Sequence, residues 1–174
     1  MGGGNKMSKI VFEKENFKIK CAEKEDALTI YELIKGIAEY EKMLDEVENT
    51  PEMIKEWLFE KKTAETYIGE EYGKPVGFIL FFHNYSTFVG RAGIYVEDLF
   101  VIPEKRGKGY GKLLLAFAAH TAVERNCGRM EWTCLNWNKP SLDFYGSIGA
   151  VKMTEWTTHR LAGNTLSNFA KSLK

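Results

Sequence analysis

Six residues, Arg106-Gly107-Lys108-Gly109-Tyr110-Gly111, set three glycines among cations just ahead of a Leu- and Ala-rich stretch that reads as a helix. A loop short of Cβ atoms lets several backbone N–H groups converge on one anion. The N-terminus of the following helix adds unpaired donors and the positive end of its dipole. Arg106, Lys108 and Lys112 add counter-charge, so the chemistry to expect here is capture of a phosphate or pyrophosphate. Spacing excludes two common phosphate loops. Counted from Gly107, Lys112 takes the place of the second glycine in Gly-x4-Gly-Lys-Ser/Thr, and Gly111 comes one residue early for Gly-x-Gly-x-x-Gly. The spacing Arg-x-x-Gly-x-Gly is met in full by Arg106, Gly109 and Gly111.

The elements around the loop follow from periodicity. Phe17 to Cys21 alternates as a strand, and Asp26 is placed to cap a helix running to about Tyr40, with Ala27, Ile30, Ile34 and Ile37 as its buried stripe. Thr50-Pro51 opens a second, short helix whose apolar side is Met53, Ile54, Trp57 and Leu58. Glu65 to Glu71 and Val76 to Tyr85 form a hairpin about Tyr72-Gly73-Lys74-Pro75, and Gly93 to Ile102 is a longer apolar strand leading into the loop. A helix over Lys112 to Arg125 and a strand over Met130 to Leu135 follow. Lys139-Pro140-Ser141 then starts a short helix through Tyr145, Thr154 to Leu161 reads as a last strand, and the tail to Lys174 as a short helix. The fold class is α/β (α+β), one domain with a mixed sheet.

Taken with its surroundings, the loop resembles the pyrophosphate loop of the GNAT superfamily of N-acetyltransferases. Tyr95-Val96-Glu97-Asp98-Leu99-Phe100-Val101 before it and Asn136-Trp137-Asn138-Lys139-Pro140-Ser141-Leu142-Asp143-Phe144-Tyr145 after it are similar to the diamine (spermidine/spermine) acetyltransferase branch, as is Leu33-Ile34-Lys35 with Tyr40-Glu41. The resemblance implies a mostly antiparallel central sheet flanked by helices and opened between the strand before the loop and the next one. It implies acetyl-CoA as co-substrate, direct transfer to a primary amine of a small cationic acceptor, and a homodimer. The backbones of Leu99, Phe100 and Val101 would then hold the acetyl group and pantetheine arm. Residues 106–112 and Asn138, Lys139, Pro140 and Ser141 would bind the rest of the cofactor, and Tyr40, Glu41, Glu97 and Asp98 the amine.

That chemistry needs a base for the amine proton and an acid for the thiolate. Glu97 sits in an apolar strand, where a carboxylate is costly unless it is paired or functional. The resemblance gives it the part of a general base acting through water. Asp98 follows directly, and an unbroken strand would send the two acids to opposite faces; they serve one cleft only if the strand bulges or the sheet opens. Tyr145 is the candidate general acid, because an unperturbed phenol, with pKa near ~10, is protonated at neutral pH. Asn138 and Ser141 also suit helix caps. Relatives that acetylate polyamines carry an acidic pair and a tryptophan near the last strand; here Thr157 replaces one of the acids and His159 the tryptophan, and Phe88 replaces a further tryptophan. A shorter acceptor such as a thialysine-like amino acid is therefore the alternative, and a non-catalytic acyl-CoA-binding module a second one.

Composition limits the rest. The 174 residues carry 24 Lys+Arg against 24 Asp+Glu, a balance that gives no reason to expect nucleic acid or a membrane as partner. The cysteines Cys21, Cys127 and Cys134 and the scattered histidines show no metal-ligand spacing, so neither a metal nor a disulfide framework is expected, and a reducing, cytoplasmic setting is. Residues 1–6 read as a leader ahead of a start at Met7, leaving 7–174 as a single N-acetyltransferase domain.

Overall fold

The computed structural model describes residues 9–173, so the expected leader lies outside the described residues. The chain clusters into two compact units, the first ending at Thr133 and the second beginning at Cys134.

The first unit holds a six-stranded sheet in chain order: β1 (Ile10–Lys14), β2 (Phe17–Cys21), β3 (Glu65–Glu71), β4 (Lys74–Ser86), β5 (Arg91–Val101) and β6 (Met130–Trp132). Every pairing is antiparallel except β5 with β6, which is parallel. β1 is not anticipated by the sequence reading; it folds back on β2 through a turn at Glu15, whose φ of 54° is left-handed. Helices α1 (Ala27–Glu41) and α2 (Pro51–Ile54) cover one face, and α2 continues as a π-helical turn over Lys55–Glu60. Helix α3 (Tyr110–Glu124) covers the other.

Which residue faces which helix follows from register, because directly paired residues share a face. Phe78 of β4 pairs Phe100 of β5, and both pack with Leu33 of α1. Tyr67 of β3 pairs Ile79, and its ring meets Phe117 of α3 at 4.6 Å. Burying side chains as large as Phe78 and Phe100 contributes about 1.5–3 kcal/mol each. The α1 contact is close: a Cβ on Gly36 would stand 2.8 Å from the Phe100 ring. Asp26 does not cap α1 as expected. It is held one turn earlier, accepting from the Glu23 N–H at 2.9 Å and from Lys20 Nζ at 2.8 Å. These bonds position the chain entering α1 rather than satisfying its first amides.

The second unit contains α4 (Lys139–Ser147) and α5 (Gly163–Ala170). The strand expected over Thr154 to Leu161 does not form; these residues are exposed and make no ladder. Alternation supplies only a tendency, and a strand needs an edge to pair with. The expected strand from Met130 likewise ends at Trp132, three residues early.

Gly77 tests the tightness of β4 against β5. A Cβ there would be driven into the Phe100 carbonyl oxygen, a backbone atom that cannot rotate away. Gly77→Ala is therefore expected to lower stability by about 1–3 kcal/mol, the usual cost of overpacking, read from the midpoint of urea unfolding.

Candidate active site

β5 carries one residue too many for β4. Leu80 pairs Asp98 and the adjacent Phe81 pairs Val96, so Glu97 has no opposite number and forms a β-bulge. The bulge changes the phase of the strand. Val96 shares the α3 face with Phe81, whose ring stacks on Tyr67, whereas Phe100 lies on the α1 face with Phe78 and Leu33. In an unbroken strand these two, four residues apart, would share one face. Asp98, paired with Leu80, is thereby delivered to the α1 face beside Glu97.

Glu41 reaches the same place from the last turn of α1. Burial pushes the Asp98 carboxyl up to about 6, and the negative charges of Glu97 and Glu41 add to that rise. Burial also raises Glu41. The C-terminal end of the α1 dipole adds partial negative charge. The bulge therefore brings together three of the residues singled out from the sequence, Glu41, Glu97 and Asp98, as a cation-attracting group. Among the described residues no His, Cys, Asp or Glu group is arranged to hold a metal ion.

The sheet opens just beyond the bulge. β6 pairs β5 only at Ile94, Tyr95 and Val96, so residues 97–101 run on without a β6 partner. The backbones of Leu99, Phe100 and Val101 lie in this opened stretch. The chain then turns through Pro103–Lys105 into the glycine loop. Gly107 and Gly109 have φ of +77° and +82°, left-handed values open to glycine, with open space where a Cβ would stand. The first amide of α3 to bond back is Leu113, to the Gly109 carbonyl at 3.0 Å. The Tyr110, Gly111 and Lys112 amides before it have no intrahelical acceptor and point out of the helix start. This is the donor set a pyrophosphate needs.

Arg106 and Lys108 each make contacts within the protein. Arg106 donates from Nε to the Val101 carbonyl at 3.0 Å and lays its guanidinium over the Tyr40 ring, 4.2 Å from the centroid. Lys108 Nζ lies 2.7 Å from Glu71 Oε1, Tyr110 donates to the same oxygen at 2.5 Å, and Lys105 bonds the other. Glu71 is buried at the end of β3. Hydrogen bonds from Lys105, Lys108 and Tyr110 hold its carboxyl down to about 2, and the same bond pushes the Tyr110 phenol up to about 12. The Tyr110 ring also stacks on Phe17 of β2, centroids 4.3 Å apart. Lys112 is exposed on the first turn of α3. Glu71 escaped the sequence reading because nothing in a strand-end glutamate announces that it will be buried against a loop 35 residues downstream.

In the second unit, Asn138 is buried and its side chain accepts from the Ser141 N–H, capping α4, with Pro140 in the first turn. Lys139 Nζ pairs with Asp143 at 2.7 Å on an exposed face. Tyr145 is half-buried and its ring tilts against Phe144 at 5.5 Å.

An opened sheet leading into a glycine-rich loop and helix start is the frame of an acetyltransferase. The model of the acetyltransferase (GNAT) family matches residues 27–150, and the chain belongs to that family of N-acetyltransferases. It is 33% identical over 164 residues to a thialysine N-epsilon-acetyltransferase of Bos taurus, covering 87% of this chain and 96% of that one. It is 43% identical over 95 residues to an L-ornithine N5-acetyltransferase of Arabidopsis thaliana; the match spans 55% of this chain but only 42% of that protein's length. Among solved structures, a V. cholerae integron cassette protein superposes with a TM-score of 0.76 at 28% identity, over 91% of this chain and 99% of that one.

The Glu71 anchor predicts an acid-sensitive loop. A carboxyl whose folded pKa is depressed stabilises the fold above its unfolded pKa and loses that contribution as pH falls toward the folded value. The melting temperature of the wild type is expected to exceed that of Glu71→Gln at pH 6, and the gap to close as pH falls from ~4.5 toward ~2. A gap that stays constant over that range would remove Glu71 as the titrating anchor.

Proposed function

We propose that the protein transfers an acetyl group from acetyl-CoA to the primary amine of a small acceptor bound as a cation, the class that includes diamines and thialysine-like amino acids. The observation that carries this reading is the bulge at Glu97, which sets three carboxylates beside the opened stretch of β5. The bound cofactor supplies a thioester: its acetyl carbon bonds the amine nitrogen as its bond to sulfur breaks, and the thiol ends protonated.

The chain's residues fit that cofactor. The amides at the start of α3 and the open glycine positions take the pyrophosphate, with Arg106, Lys108 and Lys112 at the rim. Leu99, Phe100 and Val101 offer main-chain groups to the acetyl and pantetheine portions, and Asn138, Lys139, Pro140 and Ser141 complete the contacts. Tyr40 and Glu41 meet the acceptor together with Glu97 and Asp98. Glu97 takes the amine proton through water. Asp98, with a carboxyl near 6, lies beside it and takes part in accepting that proton. Tyr145 holds a proton at Oη for the departing thiolate. A homodimer and a cytoplasmic location belong to the same reading. The exposed Trp156, Leu161, Leu166 and Phe169 give a second copy apolar surface to cover, and no helix among the described residues is long and apolar enough to cross a membrane.

Thiol release from acetyl-CoA, followed with a panel of amines, amino acids and aminoglycosides, tests the reaction. Coenzyme A binding without turnover on any amine would leave only an acyl-CoA-binding module. With a working acceptor, kcat should rise with pH through a limb near 6, as the acidic group loses its proton. Removing a neighbouring negative charge lowers the Asp98 carboxyl, so Glu97→Gln should move that limb to lower pH as well as slow turnover. Tyr145→Phe should lower kcat by roughly 10²-fold, within the usual range for a general acid, with coenzyme A affinity little changed. Wild-type rates across pH would exclude Tyr145 as the acid.

A further inference from the structure

The sheet carries a row at the level of the acidic group: Thr66 of β3 pairs Leu80 of β4, and Leu80 pairs Asp98 of β5. All three lie on the face covered by α1 and α2. There Leu80 joins Ile34 of α1, Met53 of α2, Trp57 and Leu58 of the π-helical turn, and Asn49 around a cavity of about 260 Å³. Ile34 and Glu41 are seven residues apart on α1, two turns, so one stripe of the helix looks onto both the cavity and the carboxylates.

Three observations say what the cavity suits. Its lining is apolar apart from Asn49 and holds no carboxylate. Met53 and Trp57 are left 42% and 46% exposed, apolar surface that a ligand would cover. One face of the Trp57 ring already carries a cation, Lys61 Nζ, 3.6 Å from the centroid. A second ammonium entering here would find no carboxylate in the lining, and the nearby Glu56 is already paired with Lys61 at 2.6 Å. The helix bordering the cavity is π-wound, a geometry that recurs at functional sites. As for size, an apolar cavity of roughly 150 Å³ holds a benzene; this one takes a ring with two further carbons, or a chain of about six.

We propose that the acceptor is a primary amine with an apolar body of about six to eight carbons, its ammonium held at Glu41, Glu97 and Asp98 and its hydrocarbon lying in the cavity over Leu80. The site thus selects against a second charge at the far end. This rests on the acetyl-transfer reading and narrows it to monoamines with a hydrophobic tail, aliphatic or aromatic.

The test uses two acceptors of equal length, n-hexylamine and 1,5-diaminopentane, which differ by a methyl against an ammonium at the far end. With the full chain and saturating acetyl-CoA, kcat/KM should favour hexylamine by about tenfold or more, the scale of discrimination one group in an apolar pocket provides, and 2-phenylethylamine should also be acetylated. Met53→Glu, at an exposed position, puts a carboxylate on the cavity and should shift the ratio at least about tenfold toward the diamine. Because both amines are read on one preparation, the ratio is independent of how much protein is folded. Equal or better turnover of the diamine by the wild type, or a ratio unmoved in Met53→Glu, overturns the inference and leaves acetyl transfer standing. Silence with every amine instead removes the acetyl-transfer reading, and the inference with it.

Discussion

Antiparallel pairing demands equal residue counts on the two strands, and β5 breaks that demand at Glu97. The cost is local, one residue left outside the ladder, but the consequences reach across the first unit. Upstream of the bulge Val96 is core for α3; downstream Phe100 is core for α1. Between them the chain has to present its polar residues, and the strand's only consecutive acids fall there. The same stretch is where β6 stops pairing, so acidic side chains and unladdered main chain are produced by one irregularity. Close packing maintains it: Gly77 admits the Phe100 carbonyl and Gly36 admits its ring, so β5 has little room to slide back into register.

Glu71 plays the corresponding part for the loop. A glycine-rich segment is entropically expensive to order. Here the order comes from one buried carboxylate that gathers Lys105, Lys108 and Tyr110, and from the Tyr110 ring stacked on Phe17. Arg106 is held separately, by the Val101 carbonyl and the Tyr40 ring. The amides of the loop are thus set before any anion arrives, a form of preorganisation that lowers the ordering cost of binding.

Much of this was legible in the sequence, and the parts that were not share a cause. Helix α1, the β3–β4 hairpin, β5 and the loop are written in local periodicity and in glycine spacing, and the structure places them within a few residues of expectation. The bulge was legible only as a condition: two adjacent acids on one strand could serve one cleft only if the count broke, and the break is set by β4, not by β5 alone. Glu71 and the cavity over Leu80 were invisible, because each is made by residues far apart in the chain. The segment from Thr154 to Leu161 failed in the opposite way. Its pattern suits a strand, yet pairing is a property of two segments, and it makes no ladder.

The buried anchor also bears on how the loop responds to its surroundings. Lys105 and Lys108 share the single negative charge of Glu71, so part of the loop's formal charge is spent inside the protein. In the proposed reading, attraction for a phosphate would then rest on oriented N–H dipoles as well as on the loop's cations. Mobile salt screens exposed charges over about 10 Å at 0.1 M but has little purchase on dipoles in direct contact with an anion. Anion capture at this loop, as proposed, would accordingly depend less on ionic strength than it would at a loop built on free lysines alone.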